Sequence, residues 1–228
     1  METFASFFGL ILESGPQLLK GTAVTLELTA ICIASGFVVG LLVALGRVYG
    51  GRIVYPIATT YVELIRGTPL LIQLFIVYYG LPDLGIVFSP LVAAGIALGI
   101  NTSAYQAEYF RGAIQSVGQG QMMAARALGM NSFQAIGKII LPQALRIVIP
   151  SWSNELIYML KYTSLAFTVG APELMSRAKI IAARNFRYLE MFVIVALIYL
   201  VIVTLFSKLL DYLEQRYRIP GLEMKGSK

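Results

Sequence analysis

Charged side chains lie at helical spacing inside otherwise apolar segments of this chain. Glu63 and Arg66 are three residues apart, and Glu155 lies six residues before Lys161. A charge at the bilayer midplane costs about 3 kcal/mol on insertion scales, so such groups normally face a bundle interior or a wet cavity. A lysine there can bind the carboxylate of a ligand, and a glutamate can bind an ammonium group or another cationic group. Glu63 and Arg66 equally fit a structural ion pair within one helix.

Two polar stripes extend this pattern, and each has a structural alternative. Glu108 lies three residues before Arg111, which favours an ion pair within the helix over contact with a ligand. Asn101 more often bonds to a neighbouring helix than to a ligand. Glu155 and Lys161 have no evident partner in their own helical turn, so they are the stronger candidates for binding. The stripes, each with i, i+4, i+7 spacing, are Asn101, Tyr105 and Glu108, and Asn154, Tyr158 and Lys161.

The elements that must position these groups are membrane spans. The 228 residues are 57% hydrophobic and 13% charged, with a mean hydropathy of +0.75, whereas soluble domains carry about 25% charged residues. A spanning helix needs about 20 mostly apolar residues. We therefore predict an all-α, polytopic membrane protein with five transmembrane helices. The five segments are 28–46 (with the helix beginning near Gly21), 53–82, 84–107, 147–172 and 191–207.

The distribution of basic residues predicts an orientation. An odd number of spans places the termini on opposite sides of the membrane. With the C-terminus in the cytoplasm, eleven Lys and Arg residues lie inside and five lie outside, which favours an external N-terminus. The external segment 173–190 is basic and runs against this bias. The net charge of +6 is better explained by these juxtamembrane residues than by nucleic-acid binding.

Several kinds of site are excluded or disfavoured by composition. The chain has no histidine, and the sequence shows no carboxylate cluster, which argues against a zinc or haem site. Cys32 is the single cysteine, so an intrachain disulfide is impossible. No Gly-rich phosphate loop ending in Lys-Ser or Lys-Thr occurs, so we expect no ATPase activity in this chain.

A polar segment between the third and fourth spans is expected in the cytosol. Residues 121–128 are rich in good helix formers, and Gly129 can end that helix in a left-handed conformation. Asn131 or Ser132 can cap a second short helix, and Pro142 interrupts the return to the membrane. Such a helix pair could fit a partner's groove or simply cover the bundle ends. The second helix is predicted to place on one face Phe133, Ile136 and Ile140.

This segment resembles the loop motif of the permeases of binding-protein-dependent ABC importers. That motif reads Glu-Ala-Ala, three residues, Gly, nine residues, Ile, any residue, Leu-Pro. The spacing is matched throughout, with Met123 in place of the glutamate, so an ionic contact would have to come from another residue such as Arg126. The resemblance implies docking to an ATPase through Met123, Ala124, Ala125, Arg126, Gly129, Ile139, Leu141 and Pro142.

Two membrane segments resemble the polar amino-acid branch of the same family. Residues 61–74 are similar to its second-span signature, and residues 154–165 to a later-span signature in which Tyr162 replaces an aspartate. Pro69 cannot donate a hydrogen bond to the carbonyl of Ile65, so we predict a kink in the second span, where the freed backbone polar groups line a cavity. The predicted substrate-binding residues are Glu63, Thr68, Asn101, Glu155, Lys161 and Ser164.

The resemblance implies a permease subunit that imports polar amino acids across the bacterial cytoplasmic membrane by alternating access, with the type I importer permease fold. It implies two cytosolic ATPase subunits that bind ATP and magnesium, a second permease subunit, identical or related, and an external solute-binding protein. No cofactor is expected in this chain. The carboxylates Glu63, Glu108 and Glu155 predict a basic substrate, with glutamine as the nearest rival.

The predicted domain organisation has three parts. Residues 1–20 are an external or interfacial segment, either a short interfacial helix or a frayed tail. Residues 21–220 form the transmembrane domain with the loop 112–146, and residues 221–228 form a cytosolic tail. From the residues alone, an ion-coupled carrier without ATPase partners also fits the charged spans. It leaves the helical loop unexplained and lacks the expected inverted repeat. A membrane anchor for an enzyme complex would not need a kinked, charged second span.

Overall fold

The described part of the chain, residues 2–217 of a computed structural model, is helical and contains no β-strand. This confirms the all-α prediction. In the same described residues, two π-helical segments and two 3₁₀ segments lie between α-helices. The α-helices are α1 (Glu2–Tyr49), α2 (Val54–Gly67), α3 (Leu70–Phe75), α4 (Pro90–Ser116), α5 (Gln119–Ala127), α6 (Ser132–Ala135), α7 (Leu141–Ile147), α8 (Ile149–Tyr162), α9 (Leu174–Asn185) and α10 (Tyr188–Tyr217).

The first helix begins much earlier than the sequence suggested. We predicted a start near Gly21, but α1 runs without a break from Glu2. Leu10 and Leu18 on its first half are buried against α9 and α10, and this burial stabilises a helix that its own sequence does not require. Residues 2–20 are therefore part of α1 rather than a separate interfacial helix or a frayed tail. The domain division at residue 20 stays a prediction, and the tail 221–228 lies outside the described residues.

Two described helices are long and apolar enough to cross a membrane by themselves. They comprise Gly9–Tyr49 and Tyr188–Arg216. Two bent pairs also qualify when each is taken as one broken span: Val54–Gly67 with Leu70–Leu84, bent by 102°, and Ser132–Ile147 with Ile149–Val169, bent by 55°. Helix α4 falls outside these candidates, and buried polar side chains occupy its middle. The number of five spans stays a prediction.

Helices α1 and α4 approach each other closely through small residues. A Cβ atom added at Gly40 would lie 2.8 Å from the carbonyl oxygen of Ser103, and one added at Gly36 would lie 2.5 Å from the amide nitrogen of Gln106. Small residues let backbones approach in a membrane, where packing rather than the hydrophobic effect holds helices together. This contact makes α4 the central helix against which α2, α3 and α8 also pack.

Both π-helical segments end directly before a Leu-Pro pair. The segment Ile76–Gly80 precedes Leu81 and Pro82, and the segment Ile136–Ile140 precedes Leu141 and Pro142. In each case the leucine amide donates to the carbonyl five residues earlier. A proline lacks the N–H that would bond to the fourth residue before it, and a wider turn accommodates this loss. Each proline therefore changes which way the preceding side chains face.

Candidate functional site

A cavity of about 400 Å³ lies at the break between α2 and α3. It combines a guanidinium group, an amide, a hydroxyl and two phenols with apolar side chains, the mixture typical of a site for a small polar ligand. A larger cavity of about 530 Å³, between α1, α2 and α4, has an almost entirely apolar lining. We therefore take the smaller cavity as the candidate site. It is lined by Arg66, Gly67, Thr68, Pro69, Leu70, Asn101, Tyr105, Tyr162 and Leu165.

The break lies at Pro69, and the side chain of Gln73 bonds to the backbone groups that the break leaves without partners. Thr68 is extended, with ψ of 142°, so α2 ends before Pro69. The Gln73 amide nitrogen then donates to the carbonyl of Ile65 at 2.7 Å and to the carbonyl and hydroxyl oxygens of Thr68 at 3.1 and 2.8 Å. Asn101 of α4 donates to the Gln73 side-chain oxygen at 3.1 Å. The carbonyl groups freed by the break thus have a buried partner, as a helix break inside a membrane requires.

Gln73 was not among the predicted site residues. It belongs to the motif run 61–74, and a polar side chain four residues after a proline in an apolar segment was the available signal. In the structure Gln73 is buried, and its side chain bonds to the carbonyl of Ile65 and to the side chain of Asn101. Its role here is to hold the broken helix against α4.

Arg66 is the charged residue in the lining of the cavity. Its guanidinium lies over the Tyr105 ring, 5.2 Å from the ring centre, and 3.7 Å from a carboxylate oxygen of Glu108. The ion pair suggested between Arg66 and Glu63 is not formed, and Glu63 is exposed. Arg66 is drawn to α4 because Glu108 and the aromatic ring offer it a partly desolvated anion and a π face. The structural pair of Glu108 with Arg111 is confirmed.

Glu155 has partners that a single helix could not reveal. It is only 4% exposed and accepts hydrogen bonds from Thr102 at 2.7 Å and Tyr109 at 3.2 Å, both on α4. Trp152 on α8 bonds to Gln106 of α4 at 3.0 Å beside it. Both partners lie on α4, so the expectation of no partner within the helical turn of Glu155 itself is not contradicted. Its carboxylate joins α8 to α4 and does not line the cavity.

Lys161 and Ser164 also lie outside the lining of the cavity. Lys161 is exposed, with its ammonium nitrogen 4.6 Å from the centre of the Tyr158 ring. Ser164 donates to the carbonyl of Lys161 at 2.7 Å. Of the six predicted substrate-binding residues, the cavity brings together Thr68 and Asn101. The lining residues absent from that prediction are Arg66, Gly67, Pro69, Leu70, Tyr105, Tyr162 and Leu165.

The predicted docking loop forms a helix pair with an exposed apolar surface. Gly129, with φ of +81°, ends the first helix of the pair, in the left-handed region that favours glycine. Asn131 caps the second through a capping box with Gln134. Arg126 is committed to Ser132, to whose hydroxyl it donates at 2.7 Å. The large exposed apolar side chains of the pair are Met123, Leu128 and Phe133.

The second loop helix does not place its apolar residues on one face. Phe133 is 87% exposed, Ile136 is half-buried and Ile140 is buried. The π-helical turn before Pro142 adds a residue to the helical register, so the simple 3.6-residue spacing fails here. Of the predicted docking residues, Ala125 is buried, and Ile139 and Leu141 are half-buried. Those exposed are Met123, Ala124, Arg126, Gly129 and Pro142.

No three His, Cys, Asp or Glu side chains come together as a metal site within residues 2–217. The groups in the cavity lining that can bind a ligand are one guanidinium, uncharged polar groups and aromatic rings.

Comparison with known proteins gives consistent matches. Residues 36–219 match the family described as "Binding-protein-dependent transport system inner membrane component". The chain is 40% identical to the probable amino-acid ABC transporter permease protein YckA of Bacillus subtilis, over 91% of this chain and 92% of that protein. It is 39% identical to the glutamine transport system permease protein GlnP of Escherichia coli, over 90% and 94%. A crystal structure of an amino acid ABC transporter with histidines superposes with a TM-score of 0.84 at 39% identity, covering 90% of this chain and 96% of that one.

Proposed function

The chain belongs to the family of inner membrane components of binding-protein-dependent transport systems, and we propose that it is the permease subunit of an ABC importer for polar amino acids. The observation that carries this proposal is the polar cavity at a broken span, lined by Arg66, Thr68 and Asn101. The names of YckA and GlnP and the histidine-containing structure support the substrate class. ATP hydrolysis belongs to the partner subunits of such importers.

The cavity offers complementary groups for a zwitterion. The Arg66 guanidinium can bind a carboxylate through paired, charge-assisted hydrogen bonds. Asn101 uses its amide nitrogen to bond Gln73, which leaves its oxygen as an acceptor for an ammonium group. The phenols of Tyr105 and Tyr162 can bond a polar side chain and cover its apolar stem. A basic substrate stays a prediction, because none of the three carboxylates on which it rests lines the cavity.

A continuous helical path connects the docking loop with the cavity. Helix α6 runs through the π-helical turn into α7, bends at Val148, and continues as α8 to Tyr162 in the cavity wall. We propose that ATPase subunits bind the exposed surface around Met123 and Phe133 and move the helices from α6 to α8 as one rigid body. Such a rigid-body movement would open the cavity to each side of the membrane in turn.

The proposed assembly contains two ATPase subunits, a second permease subunit and an external solute-binding protein. Family membership implies an ATPase and a binding protein; the stoichiometry is part of the proposal. We place the protein in the bacterial cytoplasmic membrane, with the N-terminus outside and the docking loop inside. The basic residues on the cytosolic side of this arrangement support that orientation.

Uptake by reconstituted vesicles tests the function. With the ATPase and binding protein present, the wild type should accumulate labelled glutamine, arginine or histidine only when ATP is supplied on the ATPase side. Arg66→Gln should reduce binding of the transported amino acid to the permease about tenfold, because a charge-assisted hydrogen bond to the carboxylate is lost. Arg52→Gln is the matched control, since Arg52 is exposed and remote from the cavity. Uptake driven by an ion gradient without the ATPase would contradict the proposal.

A further inference from the structure

One carboxylate, paired with the cavity-lining Arg66, is shared by three guanidinium groups. Glu108 accepts hydrogen bonds from Arg47 on one oxygen and from two nitrogens of Arg111 on the other, the Nε bond being 3.1 Å long. Arg66 lies 3.7 Å from the oxygen that Arg47 occupies. The three arginines come from α1, α4 and α2, so Glu108 is the point at which these helices meet electrostatically. The group carries a net charge of two positive units.

Arg66 is the least tightly held of the three arginines. Its distance to Glu108 exceeds hydrogen-bonding range, whereas Arg47 and Arg111 both make hydrogen bonds. Its side chain is 40% exposed, against 11% for Arg47 and 29% for Arg111. A loose, partly solvated ion pair contributes little and is easily exchanged. Arg66 lines the cavity together with Tyr105, over whose ring its guanidinium lies.

We propose that Glu108 is a positioning residue that holds Arg66 as a displaceable cation, ready to be taken over by the carboxylate of a bound amino acid. When the ligand enters, Arg66 moves the short distance from Glu108 to the ligand; when the ligand leaves, Glu108 takes it back. Glu108 thereby competes with the ligand and limits how tightly the cavity retains it. Arg47 and Arg111 neutralise Glu108 and so keep its hold on Arg66 weak. This inference rests on the proposed function of the cavity.

Two substitutions should shift ligand affinity in opposite directions. Glu108→Gln removes the competing anion, so the dissociation constant of the amino acid should fall about two- to fivefold, the range expected for a partly exposed ion pair, while the maximal uptake rate falls because release is slower. Arg111→Gln leaves Glu108 less neutralised and should raise the dissociation constant by a similar factor. A merely structural role for Glu108 would weaken binding in both variants.

The measurement uses the solubilised complex of permease and ATPase. The dissociation constant is measured with whichever of labelled glutamine, arginine or histidine the wild type transports best, and the maximal rate comes from vesicles of the same preparation. The Arg66→Gln background completes a double-mutant cycle, in which both shifts should disappear. Glu190→Gln is the matched control, because Glu190, in the first turn of α10, pairs with Arg187, which lies three residues earlier and directly before that helix.

The outcomes separate this inference from the proposed function. An importer that is active as wild type, but whose affinity is unchanged in Glu108→Gln or still shifts in the Arg66→Gln background, overturns the inference alone. A wild-type complex that binds and transports no amino acid overturns the proposed function. If Glu108→Gln fails to assemble with the ATPase, Arg111→Gln with and without Arg66→Gln decides the same question, since a lowered dissociation constant in Arg111→Gln contradicts the competition.

Discussion

At the residue scale, buried hydrogen bonds hold the broken span in shape. Gln73 is the clearest case. Its side-chain nitrogen donates hydrogen bonds to Ile65 and Thr68, and its side-chain oxygen accepts one from Asn101. These contacts replace the backbone bond that Pro69 cannot make. They also hold the break against α4, whose residues Asn101 and Tyr105 line the cavity.

Replacing Gln73 with Leu should therefore damage both stability and binding. The change keeps most of the side-chain volume but leaves the Asn101 amide without its partner, at a cost of about 1–3 kcal/mol for a buried group. It also removes the 2.7 Å hydrogen bond to the Ile65 carbonyl, which keeps only the 3.4 Å contact from the Thr68 hydroxyl. Thermal unfolding of the solubilised protein and amino-acid binding would both be measured. Gln215→Leu, at an exposed position of α10, is the control. An unchanged unfolding temperature for Gln73→Leu would show that water serves these groups as well as Gln73 does.

At the element scale, the predicted docking loop exposes large apolar side chains that contact with lipid does not explain if the loop lies outside the membrane. If it lies in the cytosol, Met123, Leu128 and Phe133 face water in the isolated chain. The caps at Gly129 and Asn131 fix the two helices relative to each other. A preorganised apolar surface on a short helix pair is typical of a partner's docking site.

Phe133→Ala should weaken the ATPase interaction without affecting the folding of the permease. An exposed aromatic anchor at an interface centre contributes upwards of 1 kcal/mol, so the ATPase should bind about tenfold more weakly. Co-purification at graded salt and thermal unfolding of the permease alone would be compared. Leu205→Ala removes an exposed apolar side chain from α10 and should leave ATPase binding unchanged. Equal losses in both variants would argue against a specific docking surface.

At the scale of the whole molecule, the close contact of α1 with α4 organises the bundle. Gly36 and Gly40 allow that approach, and the polar side chains of α4 then reach partners on α2, α3 and α8. The cavity and the Glu108 ion cluster both depend on where α4 stands. Tight packing in the membrane is thus a condition for the site, although no glycine of α1 lines it.

Gly40→Ala should destabilise the fold as a whole. The added methyl group would lie 2.8 Å from a backbone oxygen of α4, which cannot move without shifting the helix, and overpacking of this kind costs about 1–3 kcal/mol. Gly15→Ala on the same helix meets nothing within 4 Å and should be neutral or slightly stabilising. The unfolding temperatures of the two variants and the wild type make the comparison. Equal stability of the two variants would contradict the close-packing argument.

Local features of the fold could be predicted because they depend on neighbours along the chain. The break at Pro69, the helix end at Gly129 and the pair of Glu108 with Arg111 each involve groups within a few residues of one another. The apolar segments and the loop motif likewise indicated an importer permease before any contact was known. The early start of α1 was missed because its stabilising contacts lie on α9 and α10, far along the chain.

The sequence by itself thus determined the helical membrane class, the family and the place of the helix break. Only the tertiary structure decided that Glu155 joins two helices, that Arg66 turns to Glu108 rather than Glu63, and that the cavity is lined by Tyr105 and Tyr162. The physical reason is that helical spacing tells which side chains share a face but not which helix that face meets. In this bundle, the close approach of α1 to α4 determines which helix faces come into contact. That distance depends on the packing of both helices at once.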